Sequence, residues 1–186
     1  MSAIGVVLDA CVLIPGSLRD ILLRVAEAEI YRLSLTEDIL EEVRRNLVNK
    51  NHMMTEEQGK HLLNEIRKNF KTNFVTRHTS IVHSMPINEK DRHVLAAAVA
   101  SYSEIIVTQN LKDFPPHLLK PLQVEALSAD GFLVHQFSLY DEIMIDIIQQ
   151  HVYESRRPHL TMQQALENLT IHAPKFVYLL KRELYK

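Results

Sequence analysis

The sequence predicts an α/β fold in three layers, with a central parallel β-sheet flanked by helices and a C-terminal helical extension. Three observations predict it. Short continuous apolar runs rich in Val and Ile, at residues 4–8 and 104–108, read as strands buried on both faces. Segments of helical period lie between the strands, as βαβ units require. After about Ser138 the pattern becomes entirely helical. The chain's 186 residues fit one domain with an appendage and can bury a core without covalent staples.

Taken in order, residues 4–8 form the first strand, which ends at Asp9. Residues 18–29 carry Ile21, Leu22, Val25 and Ala28 at helical spacing, and residues 31–35 read as a second strand. Thr36 is an N-cap, with Glu37 and Asp38 in the first turn where the helix dipole favours acids; that helix should reach about Leu47. Thr55 caps the next helix, which places Leu62, Leu63, Ile66 and Phe70 on one face. Residues 74–85 fit neither period. Asn88 is an N-cap for a helix containing Val94, Leu95, Ala98 and Tyr102, and the strand at 104–108 follows. Asp113-Phe114-Pro115-Pro116 is a turn, residues 122–124 a further strand and residues 128–137 a helix. Arg156-Arg157-Pro158 interrupts the helical C-terminal part, and Thr161 and Ala173 begin two short helices. The expected division is residues 1–138 as the sheet domain and 139–186 as the extension.

Composition removes several classes. The single cysteine, Cys11, excludes a disulfide framework or a Cys-based zinc site within the chain and reads as a small core residue. The longest apolar stretch, residues 95–100, is far short of the roughly 20 residues of a membrane span. No Lys or Arg precedes Asp9, which argues against a secretory leader, so the expected location is cytoplasmic. The ten histidines show no His-Glu-x-x-His spacing, and His93 is expected to be structural or on the surface, turned away from Asp91.

The net charge of −2 gives no global basic field, but the charges are blocked. Residues 1–42 hold three basic and eight acidic side chains, residues 43–78 eight and three, residues 79–152 four and nine, and residues 153–186 six and three. A metal site with phosphate-binding flanks has this pattern, and so do solvated helix faces.

Ligands of open α/β sheets bind beyond the carboxyl ends of the strands. One predicted strand runs into Asp9, another into Thr108, Gln109 and Asn110, with Asp113 shortly after. An acid directly after a buried strand is costly to desolvate unless it is paired. Asp91 shares the core-facing stripe of its helix, although Asn88-x-x-Asp91 also resembles a capping box. Of the adjacent Glu41 and Glu42 only one can face inwards, and Glu42 lies nearer the stripe of Ile39, Leu40, Val43 and Leu47. Asp113 also suits a turn, and Thr108 and Asn110 also suit local backbone bonding. Four carboxylates gathered in one cleft need cations, and oxygen-only ligands select hard ions such as Mg²⁺ or Mn²⁺.

The segments Val7-Leu8-Asp9-Ala10-Cys11-Val12-Leu13, Ile39-Leu40-Glu41-Glu42-Val43, Asp91-Arg92-His93-Val94-Leu95-Ala96-Ala97-Ala98 and Ile106-Val107-Thr108-Gln109-Asn110-Leu111-Lys112-Asp113-Phe114-Pro115 resemble the ordered motifs of the PIN domain family. The likeness is greatest to its VapC-like toxin branch and spans roughly residues 4–137. The resemblance implies a Rossmann-like sheet and a Mg²⁺- or Mn²⁺-dependent endoribonuclease that hydrolyses RNA phosphodiesters with a metal-activated water. It implies that Asp9, Glu42, Asp91 and Asp113 are the acidic quartet, with Asp9 and Asp91 the direct ligands and Glu42 and Asp113 completing the shell. Thr108 and Asn110 would orient Asp9 or a bound water. It implies an antitoxin partner, and a homodimer is usual in the family. Arg44, Arg45, Lys50, Arg67, Lys68 and Lys71 are candidates to hold the RNA backbone, with Arg156 and Arg157 in addition. Val177, Leu180 and Leu184 form an apolar stripe suited to the chain's own sheet, a dimer face or the antitoxin.

Two other classes compete. A non-catalytic binding module of this fold would have lost its metal. A phosphatase with an aspartyl nucleophile would need a second Asp two residues after Asp9, where this chain has Cys11.

Overall fold

The computed structural model describes residues 3–50, 53–155 and 160–185. Strands β1 (Gly5–Leu8), β2 (Arg32–Ser34), β3 (Ile105–Val107) and β4 (Glu125–Leu127) form one parallel sheet in the order β2-β1-β3-β4. Val6, Val7, Leu8, Ile106 and Val107 are wholly buried, which is why the two central strands read as unbroken apolar runs.

The helices before β3 are α1 (Ala10–Leu13), α2 (Gly16–Glu27), α3 (Glu37–Arg45), α4 (Glu56–Asn69) and α5 (Arg92–Ser101). Thr36 caps α3 as expected, its hydroxyl accepting from the Ile39 N–H, and Thr55 and Gln58 form a complete capping box on α4. Beyond Arg45 the helix widens into a π-helical turn, Asn46–Lys50. Within residues 74–85 lie two short 3₁₀ turns, Arg77–Ser80 and Val82–Ser84, which explains their lack of period. Phe74 bridges Leu35 in parallel and covers the β2 edge.

The last strand lies three residues later than the sequence predicts. Lys120–Leu122 is a 3₁₀ turn containing Pro121, and Gln123 takes a left-handed conformation (φ 57°), so pairing with β3 begins only at Glu125. Helix α6 (Pro116–Leu119) precedes this turn. Helix α7 (Ala129–Glu154) starts from a Ser128 cap and breaks at Tyr140 (φ −141°, ψ 40°). Helices α8 (Met162–Thr170) and α9 (Pro174–Leu184) start after Thr161 and Ala173.

Helix α9 docks on the first half of α7. Asp130 Oδ1 accepts from the Phe176 N–H at 2.9 Å, and the rings of Phe137 and Phe176 meet edge to face. Val177 and Leu180 of the apolar stripe are buried in the chain's own core, which removes them as a surface for a partner. Among the described residues no helix is long and apolar enough to cross a membrane.

Candidate active site

The sheet changes its direction of growth between β1 and β3, since the chain adds β2 on one side of β1 and then β3 on the other. The crevice beyond such a reversal is the expected ligand site. Leu8 pairs with Val107, so Asp9 and Thr108 leave the sheet side by side. The Thr108 hydroxyl donates to Asp9 Oδ2 at 2.6 Å, and the Cys11 thiol donates to the same oxygen at 3.1 Å. Thr108 Oγ1 in turn accepts from the Asn110 N–H at 3.0 Å. Asn110 therefore supports Asp9 through its backbone, one bond removed. Asp9 stands at the N-cap position of α1, yet its side chain caps nothing. Burial and the Asp9 charge push the Cys11 thiol up to about 12, so Cys11 stays a protonated donor and is no nucleophile.

Asp91 precedes α5 and likewise makes no side-chain cap bond. The capping box expected from Asn88 is absent. A 3₁₀ turn, Glu89–Asp91, comes first, and its backbone bond from the Asp91 N–H to the Asn88 carbonyl (3.0 Å) takes the donor that a cap would use. Asp91 Oδ2 is shielded from solvent and has no hydrogen-bond partner. Burial raises the Asp91 carboxyl above the usual range; Lys90 opposes this, and the charges of Asp113, Asp9 and Glu42 add to it. All four acids are thus felt at one carboxyl.

Asp113 ends a 3₁₀ turn, Leu111–Asp113, anchored by the buried ring of Phe114. The Lys90 ammonium donates to Asp113 Oδ2 at 2.9 Å and lies 3.7 Å from Asp91 Oδ2.

Helical phase separates the two glutamates. Glu41 is gripped by Arg44 at 2.6 and 2.8 Å, and Arg44 also reaches Glu56 on α4 at 2.7 Å. Glu42 faces α5, with Oε2 at 3.3 Å from His93 Nε2, an ionic contact outside hydrogen-bond angles. The contact with His93 lowers the Glu42 carboxyl, against its partial burial and with help from Arg45 and Lys50. Burial alone would depress His93, but Glu42 raises it on balance. His93, expected to be structural or on the surface and turned away from Asp91, meets Glu42 of α3.

Arg45 and Lys50 are exposed and line a pocket of about 500 Å³ beside Glu42, with Asn46, Lys90 and His93. Arg44 is committed to its two glutamates and Arg67 to Glu37 at 2.7 Å. Lys68 sits 4.0 Å from Glu65, and neither it nor Lys71 lines the pocket. Arg156 and Arg157 lie outside the described residues.

Among the described residues no group of three or more His, Cys, Asp or Glu side chains closes into a metal cage as it stands. The donors nonetheless fit a hard divalent ion: they are carboxylates, one buried carboxylate oxygen accepts no hydrogen bond, and like charge has accumulated.

Fold and site together define an α/β protein with an acidic cleft at the reversal point of its parallel sheet. The sequence model of the PIN domain matches residues 5–112, and the chain belongs to that family. The sequence model of the VapC50 C-terminal domain matches residues 129–182. A Mycobacterium tuberculosis protein named "Putative ribonuclease VapC50" is 41% identical over 105 residues, which cover 56% of this chain and 62% of that protein. The match therefore spans less than two thirds of the relative's length. No solved structure matches the chain.

Proposed function

We propose that the chain is a Mg²⁺- or Mn²⁺-dependent endoribonuclease and the toxin of a type II toxin–antitoxin module. The observation that carries the nuclease reading is the buried Asp91 oxygen that accepts no hydrogen bond, crowded by Asp9, Glu42 and Asp113 at the sheet's reversal point. The likeness to the mycobacterial relative supports the toxin assignment.

In this reading Asp9 and Asp91 hold the ion, and Glu42 and Asp113 complete its surroundings. When bound, the ion supplies positive charge at the phosphodiester and activates water for attack. Thr108 fixes the rotamer of Asp9, and the Asn110 N–H fixes Thr108. His93 holds Glu42 towards the cleft. Arg45 and Lys50 are the cations best placed for the RNA backbone, because Arg44 is occupied by glutamates. An antitoxin and a second copy of the chain are the expected protein partners. The nuclease domain is assigned to residues 1–138 and the extension to 139–186, and the helix break at Tyr140 lies beside that division.

The test is cleavage of a mixed structured RNA by wild type and Asp9→Asn, in Mn²⁺ and in EDTA. Cleavage that needs the ion and vanishes in Asp9→Asn supports the nuclease. Equal cleavage by both proteins, or no cleavage together with no Mn²⁺ uptake, would instead favour a non-catalytic binding module.

A further inference from the structure

We propose that Lys90 is a built-in counter-ion of the acid cluster: a divalent cation must displace its ammonium, which then joins Arg45 and Lys50 in facing substrate phosphate. The inference rests on the metal-dependent reading above and deepens it.

Lys90 belongs to two places at once. Its Nζ pairs with Asp113 Oδ2 at 2.9 Å and lies 3.7 Å from Asp91 Oδ2. The same residue lines the pocket between α3 and α5. Its side chain is 64% exposed, so packing does not lock it to the acids. A divalent ion bound by Asp91 would lie within a few ångströms of this ammonium, and like charges at that separation repel strongly where water is partly excluded.

The neighbouring pocket is suited to receive the displaced charge. Its acids are each held by a partner: Asp38 by His78 at 2.7 Å, Glu41 by Arg44 at 2.6 Å and Glu42 by His93 at 3.3 Å. Arg45 and Lys50 make no contact ion pair among the described residues. The lining charges without a contact partner are thus Arg45 and Lys50, both cations, which suits a phosphodiester. Exchange of Lys90 would add a third cation once the ion is in place, so the ion's arrival and the grip on phosphate become linked events.

The experiment compares the full chain with Lys90→Gln, Lys90→Arg and Lys112→Gln. Lys112 is exposed and adjoins Asp113 in sequence, so Lys112→Gln makes the same charge change without removing a contact to the acids. Titration calorimetry with Mn²⁺ alone is expected to show Lys90→Gln binding roughly two- to fivefold more tightly than wild type, the upper part of the span of an exposed ion pair. Lys112→Gln should change by less than about twofold and Lys90→Arg should stay near wild type. A 2′-O-methyl RNA oligonucleotide should bind Lys90→Gln several-fold more weakly than Lys112→Gln in Mn²⁺, and equally in EDTA. Mn²⁺ affinities that match for Lys90→Gln and Lys112→Gln overturn the proposal. So does an RNA-binding loss that is the same with and without the ion. If wild type takes up no Mn²⁺, the metal-dependent reading falls as well, which separates the two failures.

Discussion

Replacing Thr108 by Val keeps the side-chain volume and removes one oxygen atom. That oxygen is wholly buried, donates to Asp9 Oδ2 at 2.6 Å and accepts from the Asn110 N–H at 3.0 Å. A hydrogen bond to a charged group contributes about 1.5–3 kcal/mol. Cys11 continues to donate to the same Asp9 oxygen at 3.1 Å, and exposed Asn110 can turn to water. The expected net loss is thus about 2 kcal/mol, near the low end of that range. For a chain of this length it lowers Tm by about 4–8 °C. With Asp9 freed to rotate, Mn²⁺ affinity and RNA cleavage should fall by roughly 10–100-fold, as when a group orienting a metal ligand is lost. Urea denaturation, Mn²⁺ titration and RNA cleavage on Thr108→Val and Thr108→Ser test this together. Ser keeps the hydroxyl and should retain most of each property. The reasoning is refuted if Val matches wild type in Tm and Mn²⁺ affinity, or if Ser is as damaged as Val.

Four further outcomes follow from the site's geometry and charges. Glu42→Gln should lower RNA cleavage at least about tenfold. Glu41→Gln should leave cleavage near wild type and cost no more than about 1 kcal/mol in urea denaturation, because its pair with Arg44 is half exposed. The folded-state value of His93 is raised, so its contribution to stability is complete below the unfolded value of about 6.5 and is lost as pH rises through the folded one. The stability of His93→Gln in EDTA should lack that fall, and the difference curve from wild type measures it. Asp91 is an acid whose folded value is raised, so wild type in EDTA loses stability as pH climbs from 3.8 through that value. Asp91→Asn should escape this loss and melt higher than wild type at pH 7 in EDTA, while its cleavage drops to background.

What could be read from the sequence depended on burial. Strands β1 and β3 are covered on both faces, and their unbroken Val and Ile runs led directly to Asp9 and Thr108. Helix phase was informative where a helix had already begun, so Glu42 could be preferred to Glu41 inside α3. It could not reveal that His93 meets Glu42, because that contact crosses from α5 to α3. The last strand slipped because the effects of Pro121 and Gln123 on backbone dihedrals carry no hydropathy signal. Lys90 was missed for a related reason. An exposed lysine has no period, and only the return of the chain at Asp113 gives its ammonium a partner. The best sequence clue would have been its place directly before a candidate ligand. Arg44 and Arg67, by contrast, looked like RNA contacts until α3 and α4 packed and their charges met Glu41, Glu56 and Glu37.

The state of Asp91 decides between two accounts of these acids. An aspartate at the N-terminus of a ten-residue helix should be stabilised in its charged form, by about 0.3–1 kcal/mol from the helix dipole. Lys90 adds to that stabilisation. If the acids were only structural, these two favourable effects would hold the carboxyl low. The carboxyl is instead raised, because burial and repulsion from Asp113, Asp9 and Glu42 outweigh the pull of Lys90. A fold selected for stability alone would relieve this with a neutral isostere or a cap bond, and Asp91 has neither. Positive charge from outside the chain, delivered to an oxygen that accepts no hydrogen bond, would lower its energy. The same argument explains why the neutral Asn at position 91 is expected to stabilise the fold while ending the chemistry.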